Sequence, residues 1–237
     1  ALSGAFAASL ILALVAVLVV ERASGTHESS RRIAFSRFQD ERFQIFTMNV
    51  DGTGLRQITA DGANHVQFSL SPDGQQIVFG SAAGGHDQLF IVNANGTNLH
   101  RLEVDEANDG APSWSPDGKE IAFISTPSLT ESDIVVVNRD GSNLRRIADS
   151  SKIGAIFAPI VWSPDGRAIA FPNGPPRKPS VNVVTLGDET TRQPATISSY
   201  GSELSWSPSG NEIVYTQGVT KGDTYESHLY LMRDDGS

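Results

Sequence analysis

Four copies of one short phrase constrain the fold of this chain more than any other feature. The phrase reads Ser-Pro-Asp-Gly, or Ser-Pro-Ser-Gly in the last copy, and its prolines are Pro72, Pro116, Pro164 and Pro208. Proline presets φ near about −65° at the second position of a turn, and glycine then adopts the left-handed conformation that lets the next strand pair back. Short β-prone runs flank each copy, as 121–124 does after Pro116. Each copy therefore predicts a tight turn between two antiparallel strands, A and B.

A second phrase follows the first at a similar distance along the chain. It consists of an apolar run, then Asp-Gly or Asn-Gly, then a shorter mixed run, and its copies begin at Ile45, Leu89, Ile134 and Leu229. Asp-Gly or Asn-Gly between such runs is the strongest short-range signal for a β-hairpin. We therefore predict two further strands, C and D, in each unit. The unit near Val181 keeps strand C but has Leu-Gly-Asp-Glu in place of the turn.

The spacing of the repeats predicts how the hairpins pack. Successive prolines of the first phrase lie 44, 48 and 44 residues apart. A period of about 40–50 residues with four strands per unit is typical of β-propeller blades, which stack around an axis because one blade cannot bury its own faces. A β-sandwich, the main alternative, has no reason to repeat its turn sequences at fixed intervals. We predict an all-β fold, a β-propeller of four-stranded blades over residues 33–237 with about five blades present.

We expect the ring of blades to be incomplete. The first repeat supplies strands B, C and D, three complete repeats follow, and the last supplies A, B and C, which makes 18 strands. The sequence stops at residues 235–237, inside a C–D turn. The expectation is a propeller truncated at its C-terminus, from a parent with five or more blades, and with two open sheet edges that favour aggregation.

Residues 1–20 form an uncharged, mostly apolar segment, which Glu21 and Arg22 follow. A helix of this length, at about 1.5 Å per residue, spans the hydrocarbon core of a bilayer. We predict a transmembrane or signal-anchor helix, with residues 21–32 as a polar tether. A long signal peptide, cleaved near the small residues 23–25, is the alternative that the sequence leaves open. We expect a bacterial inner-membrane protein with its propeller in the periplasm or another extracytoplasmic space.

The composition and the motifs narrow the classes of function. The net charge of −9 argues against nucleic acid as a partner of this segment, since nucleic-acid binders need a basic face. The absence of cysteine excludes disulfides, thiolate catalysis and zinc–cysteine sites. The five histidines are scattered, without H-E-x-x-H, and no G-x-S-x-G or glycine-rich phosphate loop is present. We predict no catalytic residue, no metal ligand and no cofactor, and hence that this chain is not itself an enzyme.

The connections between strands predict which end of the blades carries function. The A–B and C–D turns lie at one end of each blade, because successive strands alternate in direction, and these turns repeat in sequence. The B–C and D–A connections lie at the other end and share neither length nor composition. Dissimilar loops on a rigid scaffold are where binding specificity usually resides. We predict that a protein or peptide partner from the cell envelope binds there, with sequence drift as the plainer explanation of the variation.

The candidate partner-binding residues come from the D–A connections. They are acidic, aromatic or imidazole side chains: Asp61, His65, Asp105, Glu106, Asp109, Tyr200 and Glu203. The acidic members suit a basic segment of a partner, or a cation. The alternative interpretation is that they are solvated loop carboxylates.

The repeated residues resemble a known family. The motif W-S-P-D-G, then I-A-F, then a strand ending in N-x-D-G-x-x-L-x-R-I is similar to the TolB-like (WD-repeat-like) propeller repeat of bacterial exported proteins. The resemblance covers about residues 31–237, and it departs from the motif at Leu70, which replaces Trp, and at Ser209, which replaces Asp. It implies a parent with six or seven blades. The α/β domain that precedes the propeller in the family's namesake has no counterpart here.

The resemblance implies two classes of function. The family's namesake docks a peptidoglycan-associated lipoprotein at its propeller, and similar repeats form the sensor portion of membrane-anchored regulators. We therefore expect a membrane-tethered, extracytoplasmic propeller that acts as a protein-binding scaffold or sensor domain. The alternative is the gating propeller of a prolyl-oligopeptidase-type serine peptidase, whose catalytic domain would lie outside this sequence.

Overall fold

The computed structural model describes residues 16–18, 32–82, 86–104, 107–128, 130–174, 180–187, 190–196, 203–221 and 224–234. In this part of the chain 19 strands and one short helix are arranged as five antiparallel sheets. Strands that are neighbours in sequence are also neighbours in each sheet, so every sheet is a simple meander. The prediction of an all-β, propeller-like fold built from successive antiparallel units is confirmed. The described residues do not close into a ring.

We number the sheets as blades one to five in chain order. The first contains β1 (Ala16–Leu18), β2 (Arg32–Gln39), β3 (Arg42–Asn49) and β4 (Arg56–Gln57). The second contains β5 (Phe68–Leu70), β6 (Gln76–Ser81), β7 (Gln88–Asn93) and β8 (His100–Arg101). The third contains β9 (Asn108–Trp114), β10 (Glu120–Ser128), β11 (Glu131–Asn138) and β12 (Arg145–Ala148), and the helix α1 (Ser150–Ile153) follows it.

Blades four and five complete the described chain. The fourth contains β13 (Val161–Trp162), β14 (Ala168–Asn173), β15 (Ser180–Thr185) and β16 (Thr191–Thr196). The fifth has three strands, β17 (Leu204–Trp206), β18 (Glu212–Lys221) and β19 (Thr224–Arg233). In the fourth blade, β15 and β16 pair from Ser180↔Thr196 to Val184↔Thr191. The chain therefore still joins a C strand to a D strand where Leu-Gly-Asp-Glu replaces the repeated C–D turn.

The first blade has four strands where the sequence predicts three. Its additional strand is β1, which pairs antiparallel with β2 from Ala16↔Phe35 to Leu18↔Ile33. These three residues lie inside the segment 1–20 for which the sequence predicts a helix, and here the structure has a strand instead. The edge of β2 offers backbone N–H and C=O groups that a short strand can pair, which a helix cannot do.

The rest of the predicted N-terminal helix, and residues 21–31 of the predicted tether, lie outside the described residues. Within the described ranges, no helix combines the length and the hydrophobicity that crossing a bilayer requires.

The Ser-Pro-Asp-Gly phrase forms the A–B turn, and its side chains explain why it repeats. Between β5 and β6, the Ser71 hydroxyl donates to Asp73 Oδ1 at 2.5 Å, and the Gly74 N–H donates to the Ser71 carbonyl at 2.8 Å. The same hydroxyl–carboxylate bond recurs from Ser115 to Asp117 at 2.8 Å and from Ser163 to Asp165 at 2.6 Å. In the last copy the hydroxyl of Ser209 replaces the carboxylate and lies 3.1 Å from that of Ser207. The turn is therefore kept by local hydrogen bonds.

Apolar cores lie between consecutive blades. Because side chains alternate along a strand, Leu89 and Ile91 of β7 face the third blade and pack with Trp114, Ile121 and Phe123. Equivalent clusters join the first blade to the second, the third to the fourth, and the fourth to the fifth. Four cores between five successive sheets are the packing of a propeller, and a β-sandwich would have one.

The tryptophan of the repeated motif also links blades by hydrogen bonding. The Trp162 indole N–H donates to the carbonyl of Ser113 at 3.1 Å, and the Trp206 indole N–H donates to the carbonyl of Val161 at 3.2 Å. Each acceptor lies in the A strand of the preceding blade, so the motif secures the innermost strands to one another. The indole N–H of Trp114 is buried and meets no acceptor among the described residues.

The last blade presents an apolar face that no described residue covers. Leu229 and Leu231 of β19 occupy the repeat positions of Leu89 and Ile91 in β7. They are 72% and 62% exposed, whereas Leu89 and Ile91 are 0% and 1% exposed. Equivalent positions of the repeat thus belong to a core in the second blade and to the surface in the fifth.

Candidate functional site

The meander topology places the two kinds of connection at opposite ends of the blades. We call the end formed by the A–B and C–D turns the uniform rim, and the end formed by the B–C and D–A connections the variable rim. The structure agrees with the sequence on this division, since every described sheet is antiparallel with its strands in chain order.

The C–D turns of the uniform rim use their polar side chains internally. In the second blade, Asn93 Nδ2 donates to Thr97 Oγ1 at 3.0 Å, and Thr97 donates its hydroxyl to Asn95 Oδ1 at 2.6 Å. The first and third blades repeat this pattern with Asp51 and Asp140 as the acceptors. Hydrogen bonds from Thr53 and Ser142 hold the pKa of these two carboxyl groups below the ordinary value. The polar groups of these turns thus maintain the turn itself.

On the variable rim, the D–A connection before the second blade contains a buried histidine. His65 is 0% exposed, and its ring meets that of Phe79 edge-on, with the centroids 5.1 Å apart. Its Nδ1 lies 3.2 Å from the Gly80 carbonyl and its Nε2 lies 2.6 Å from Asp61 Oδ1. Both ring nitrogens therefore face oxygen acceptors, and the ring fixes the position of Asp61.

Asp61 is oriented by its neighbours but still meets solvent. Its carboxylate accepts hydrogen bonds from the Ala63 N–H at 3.1 Å and from the Ser81 hydroxyl at 3.2 Å, in addition to the contact with His65. The side chain is 39% exposed. Burial raises the pKa of Asp61, but the hydrogen bonds from His65, Ala63 and Ser81 and the charge of His65 outweigh it, so that the pKa lies below the ordinary value. Asp61 is therefore an ionised acceptor held in one orientation at neutral pH.

The other candidates from the sequence are divided between interior and surface. Asp109 is buried at the start of β9, and its N–H donates to the Asp87 carbonyl at 2.8 Å. Glu203 is exposed just before β17, and its backbone pairs with Thr216. Asp105, Glu106 and Tyr200 lie outside the described residues. The structure thus brings Asp61 and His65 into direct contact and leaves Asp109 and Glu203 on other blades.

One exposed aromatic residue on the variable rim was not anticipated from the sequence. Phe38 lies at the end of β2, is 56% exposed, and its ring centroid is 5.1 Å from that of Phe43 across the β2–β3 hairpin. The residues of the turn between them, Asp40 and Glu41, have φ of 50° and 63°. The available signal was that two phenylalanines flank a charged turn in this B–C connection.

The hairpin of the first blade and the loop that carries Asp61 form one ordered surface. Arg42 Nε donates to the Gly62 carbonyl at 3.0 Å, and Gln44 Nε2 donates to the Ala63 carbonyl at 2.8 Å. The Phe43 N–H donates to Asn64 Oδ1 at 2.9 Å. These bonds join the B–C and D–A connections that carry Phe38 and Asp61, and we call this surface the first-blade surface.

The D–A connection after the third blade is fixed by different means. The buried carboxylate of Asp133 accepts hydrogen bonds from the Ser150 N–H at 2.9 Å and from Arg146 at 3.1 Å. Asp149 caps α1 by accepting from the Ser151 N–H at 3.0 Å. The variable rim is thus ordered by side chains that differ from blade to blade. Among the described residues, no group of three or more His, Asp or Glu side chains comes together in a way that could hold a metal ion.

Solved structures with this fold include several kinds of protein. TolB from Acinetobacter baumannii matches with a TM-score of 0.69 and 23% identity, over 86% of this chain and 49% of that protein. A putative TolB from Agrobacterium tumefaciens matches with a TM-score of 0.64 and 19% identity, over 85% of this chain and 70% of that protein. A prolyl endopeptidase matches with a TM-score of 0.57 and 13% identity, over 82% of this chain and 32% of that enzyme. At these identities the likeness shows the fold alone.

The present chain spans about half the length of the Acinetobacter protein. Curated proteins yield no significant match to the sequence. The profile of the family described as the TolB beta propeller domain matches residues 26–152, which is more than half of the chain. This chain therefore belongs to the TolB β-propeller domain family.

Proposed function

We propose that this chain is an extracytoplasmic propeller that binds a protein or peptide partner through its variable rim, as a scaffold or sensor domain. The observation that carries the proposal is the first-blade surface. There an exposed aromatic side chain, Phe38, accompanies an oriented carboxylate, Asp61, on two connections that are hydrogen-bonded together.

The chemistry of this surface indicates what kind of partner it fits. Exposed aromatic side chains are enriched among the residues that dominate protein–protein binding energies, because they bury a large area at a low cost in conformational entropy. The carboxylate of Asp61 suits a lysine or arginine of the partner, and its hydrogen bonds to His65 and Ser81 reduce the cost of ordering it. The partner segment therefore combines an apolar side chain with a basic one. Asp105, Glu106, Tyr200 and Glu203, from the D–A connections of other blades, remain candidate partner-binding residues in our proposal, while His65 and Asp109 act from the interior.

The location of the propeller outside the cytoplasm is also part of the proposal. It rests on the apolar segment 1–20, as an anchor or a signal peptide, and on the resemblance to exported propellers. Fractionation of bacterial cells that express the parent protein, with protease added to spheroplasts, tests it. Protection of the propeller from external protease in intact spheroplasts would contradict an extracytoplasmic location.

The peptidase alternative is supported by fold likeness only. The match to a prolyl endopeptidase covers 32% of that enzyme at 13% identity, and a shared fold does not carry activity with it. We therefore propose binding as the function of this chain.

A comparison of variants on the two rims tests the binding function. The 237-residue chain is immobilised and used to capture proteins from a bacterial envelope extract, and the captured proteins are quantified by mass spectrometry. We expect Phe38→Ser and Asp61→Asn to remove a specific captured protein. The matched control is Leu99→Ser, which changes a residue of similar exposure (60%) on the uniform rim, together with Asp117→Asn.

The control pair should leave the capture unchanged, and circular dichroism should show that all variants remain folded. Equal loss of the captured protein on both rims, or no loss with the first-blade variants, would contradict the proposal.

A further inference from the structure

A small cavity on the uniform rim lies between the first and second blades. Its volume is about 190 Å³, and its lining includes the side chains of Arg32, Arg56, Asn49 and Asn95. Arg32 begins β2 and Arg56 begins β4, while Asn95 belongs to the C–D turn of the second blade. The cavity contains no Asp or Glu among its described lining residues.

The third blade shows how close the side chains at these two positions come to each other. In the third blade the residue that begins the B strand is Glu120, and the residue that begins the D strand is Arg145. They form an ion pair at 2.8 Å, with both side chains about a quarter exposed. The fold therefore brings these two positions within ion-pair distance. In the first blade an arginine, Arg32, occupies the position of the glutamate.

Neither arginine of the first blade has an anionic partner within the described part of the chain. The arginines that form ion pairs there are Arg101, Arg145 and Arg146. Two guanidinium groups at positions that hold an ion pair in the third blade repel each other, unless an anion lies between them. The chain as a whole does not share this excess of positive charge, since its net charge is −9.

We propose that Arg32 and Arg56 form a binding site for a phosphate group. A guanidinium group presents parallel N–H donors that match the oxygens of phosphate, and two such groups balance the charge of a dianion. Asn49 and Asn95 line the same cavity. Asn49 Nδ2 already donates one N–H to Thr53 Oγ1, and the remaining amide N–H groups can supply further donors. The cavity is smaller than the roughly 300–1,000 Å³ of sites that enclose a drug-sized ligand, so it accommodates the phosphate group and leaves its substituent outside. The group comes from free phosphate or from the headgroup of an anionic lipid.

Titration of the 237-residue chain with inorganic phosphate, against potassium chloride at equal ionic strength, tests the site. We expect calorimetry to detect saturable binding of phosphate, and we expect phosphate to raise the Tm of the chain. Chloride should have neither effect. Arg32→Gln and Arg56→Gln should each weaken phosphate binding by about tenfold or more, because each removes one charge-assisted contact. Arg145→Gln is the matched control, which removes the arginine of the Glu120 pair in the third blade and should leave phosphate binding unchanged.

A reciprocal variant keeps the test independent of folding defects. Arg32→Glu recreates the arrangement of the third blade in the first, so it should abolish phosphate binding while the Tm without phosphate stays the same or rises. Phosphate binding that survives in Arg32→Glu, or an equal Tm shift in chloride, would overturn the proposal.

Vesicles distinguish the two sources of the phosphate group. Flotation with phosphatidylglycerol vesicles, compared with phosphatidylcholine vesicles, reports on a headgroup. Binding that depends on Arg32 and Arg56, in the phosphate titration or in the vesicle flotation, supports the site and identifies the source of the phosphate group. Absence of binding in both experiments overturns the proposal. The site lies on the uniform rim, so failure of partner capture by the first-blade surface leaves this result unaffected.

Discussion

Leu89 and Leu229 provide the most direct test of how the blades stack. The two leucines occupy the same position of strand C, but Leu89 is 0% exposed between two blades and Leu229 is 72% exposed on the fifth. Truncation of a fully buried leucine to alanine costs about 3 kcal/mol, from the lost transfer free energy and the cavity that remains. Leu229 has little more than a quarter of its surface buried, and that fraction scales the cost to roughly 0.8 kcal/mol.

Urea unfolding followed by tryptophan fluorescence measures both substitutions in the same chain. We expect Leu89→Ala to lower the free energy of unfolding by about 3 kcal/mol and Leu229→Ala by less than about 1 kcal/mol. Measurements at several protein concentrations exclude self-association through the exposed leucines as the source of any difference. Equal costs for the two variants would refute this stacking of the blades. They would mean that the face of β19 that carries Leu229 is covered as fully as the face of β7 that carries Leu89.

Three further predictions concern hydrogen bonds that the structure assigns. His65→Gln should lower the free energy of unfolding by about 2 kcal/mol, because the fully buried ring loses its contacts with the Gly80 carbonyl, Asp61 and Phe79. His228→Gln at an exposed position should change the free energy of unfolding by less than about 0.5 kcal/mol in chemical denaturation. The pKa of Asp61 is lower in the folded chain than its ordinary value of 3.8, so its contribution to stability is present above about pH 4 and is lost as the pH falls through the folded pKa. Asp61→Asn should therefore flatten the acid limb of a plot of stability against pH, and an unchanged limb would contradict this assignment. Trp206→Phe should cost about 1 kcal/mol more than Trp114→Phe in thermal or urea unfolding, since Trp206 donates its indole N–H to the preceding blade and Trp114 does not; the reverse order would count against this role of the motif.

The fold was largely predictable because its signals are local and repeated. A Ser-Pro-Asp-Gly turn is stabilised by its own side chains, as the bond from Ser71 to Asp73 shows, so each copy indicates a hairpin without knowledge of the remainder. The strand β1 was not predictable in the same way. Its pairing with β2 depends on an open sheet edge, and the hydrophobicity of its residues fits a helix as well as a strand.

The sequence predicts the two rims, but it does not predict which side chains of the variable rim are buried. The variation of the connections correctly distinguishes the two rims, yet the sequence does not reveal which loop side chains turn inward. His65 and Asp109 both lie seven residues before a turn proline, and both are buried, whereas Phe157 at the same distance before Pro164 is only partly buried. Phe38, beside the B–C turn of the first blade, is exposed although it is apolar.

Some departures from the repeat are compensated by neighbouring residues in the structure, and others are not. Ser209 replaces an aspartate and its hydroxyl still meets Ser207, and Leu70 replaces a tryptophan and remains packed in the core between the first two blades. Both are substitutions that the fold absorbs. Arg32 lies where the third blade has Glu120, next to a second arginine, and no described residue neutralises it. An uncompensated departure costs stability unless a ligand supplies what is missing, which is why the two arginines indicate a binding site and the two absorbed substitutions do not.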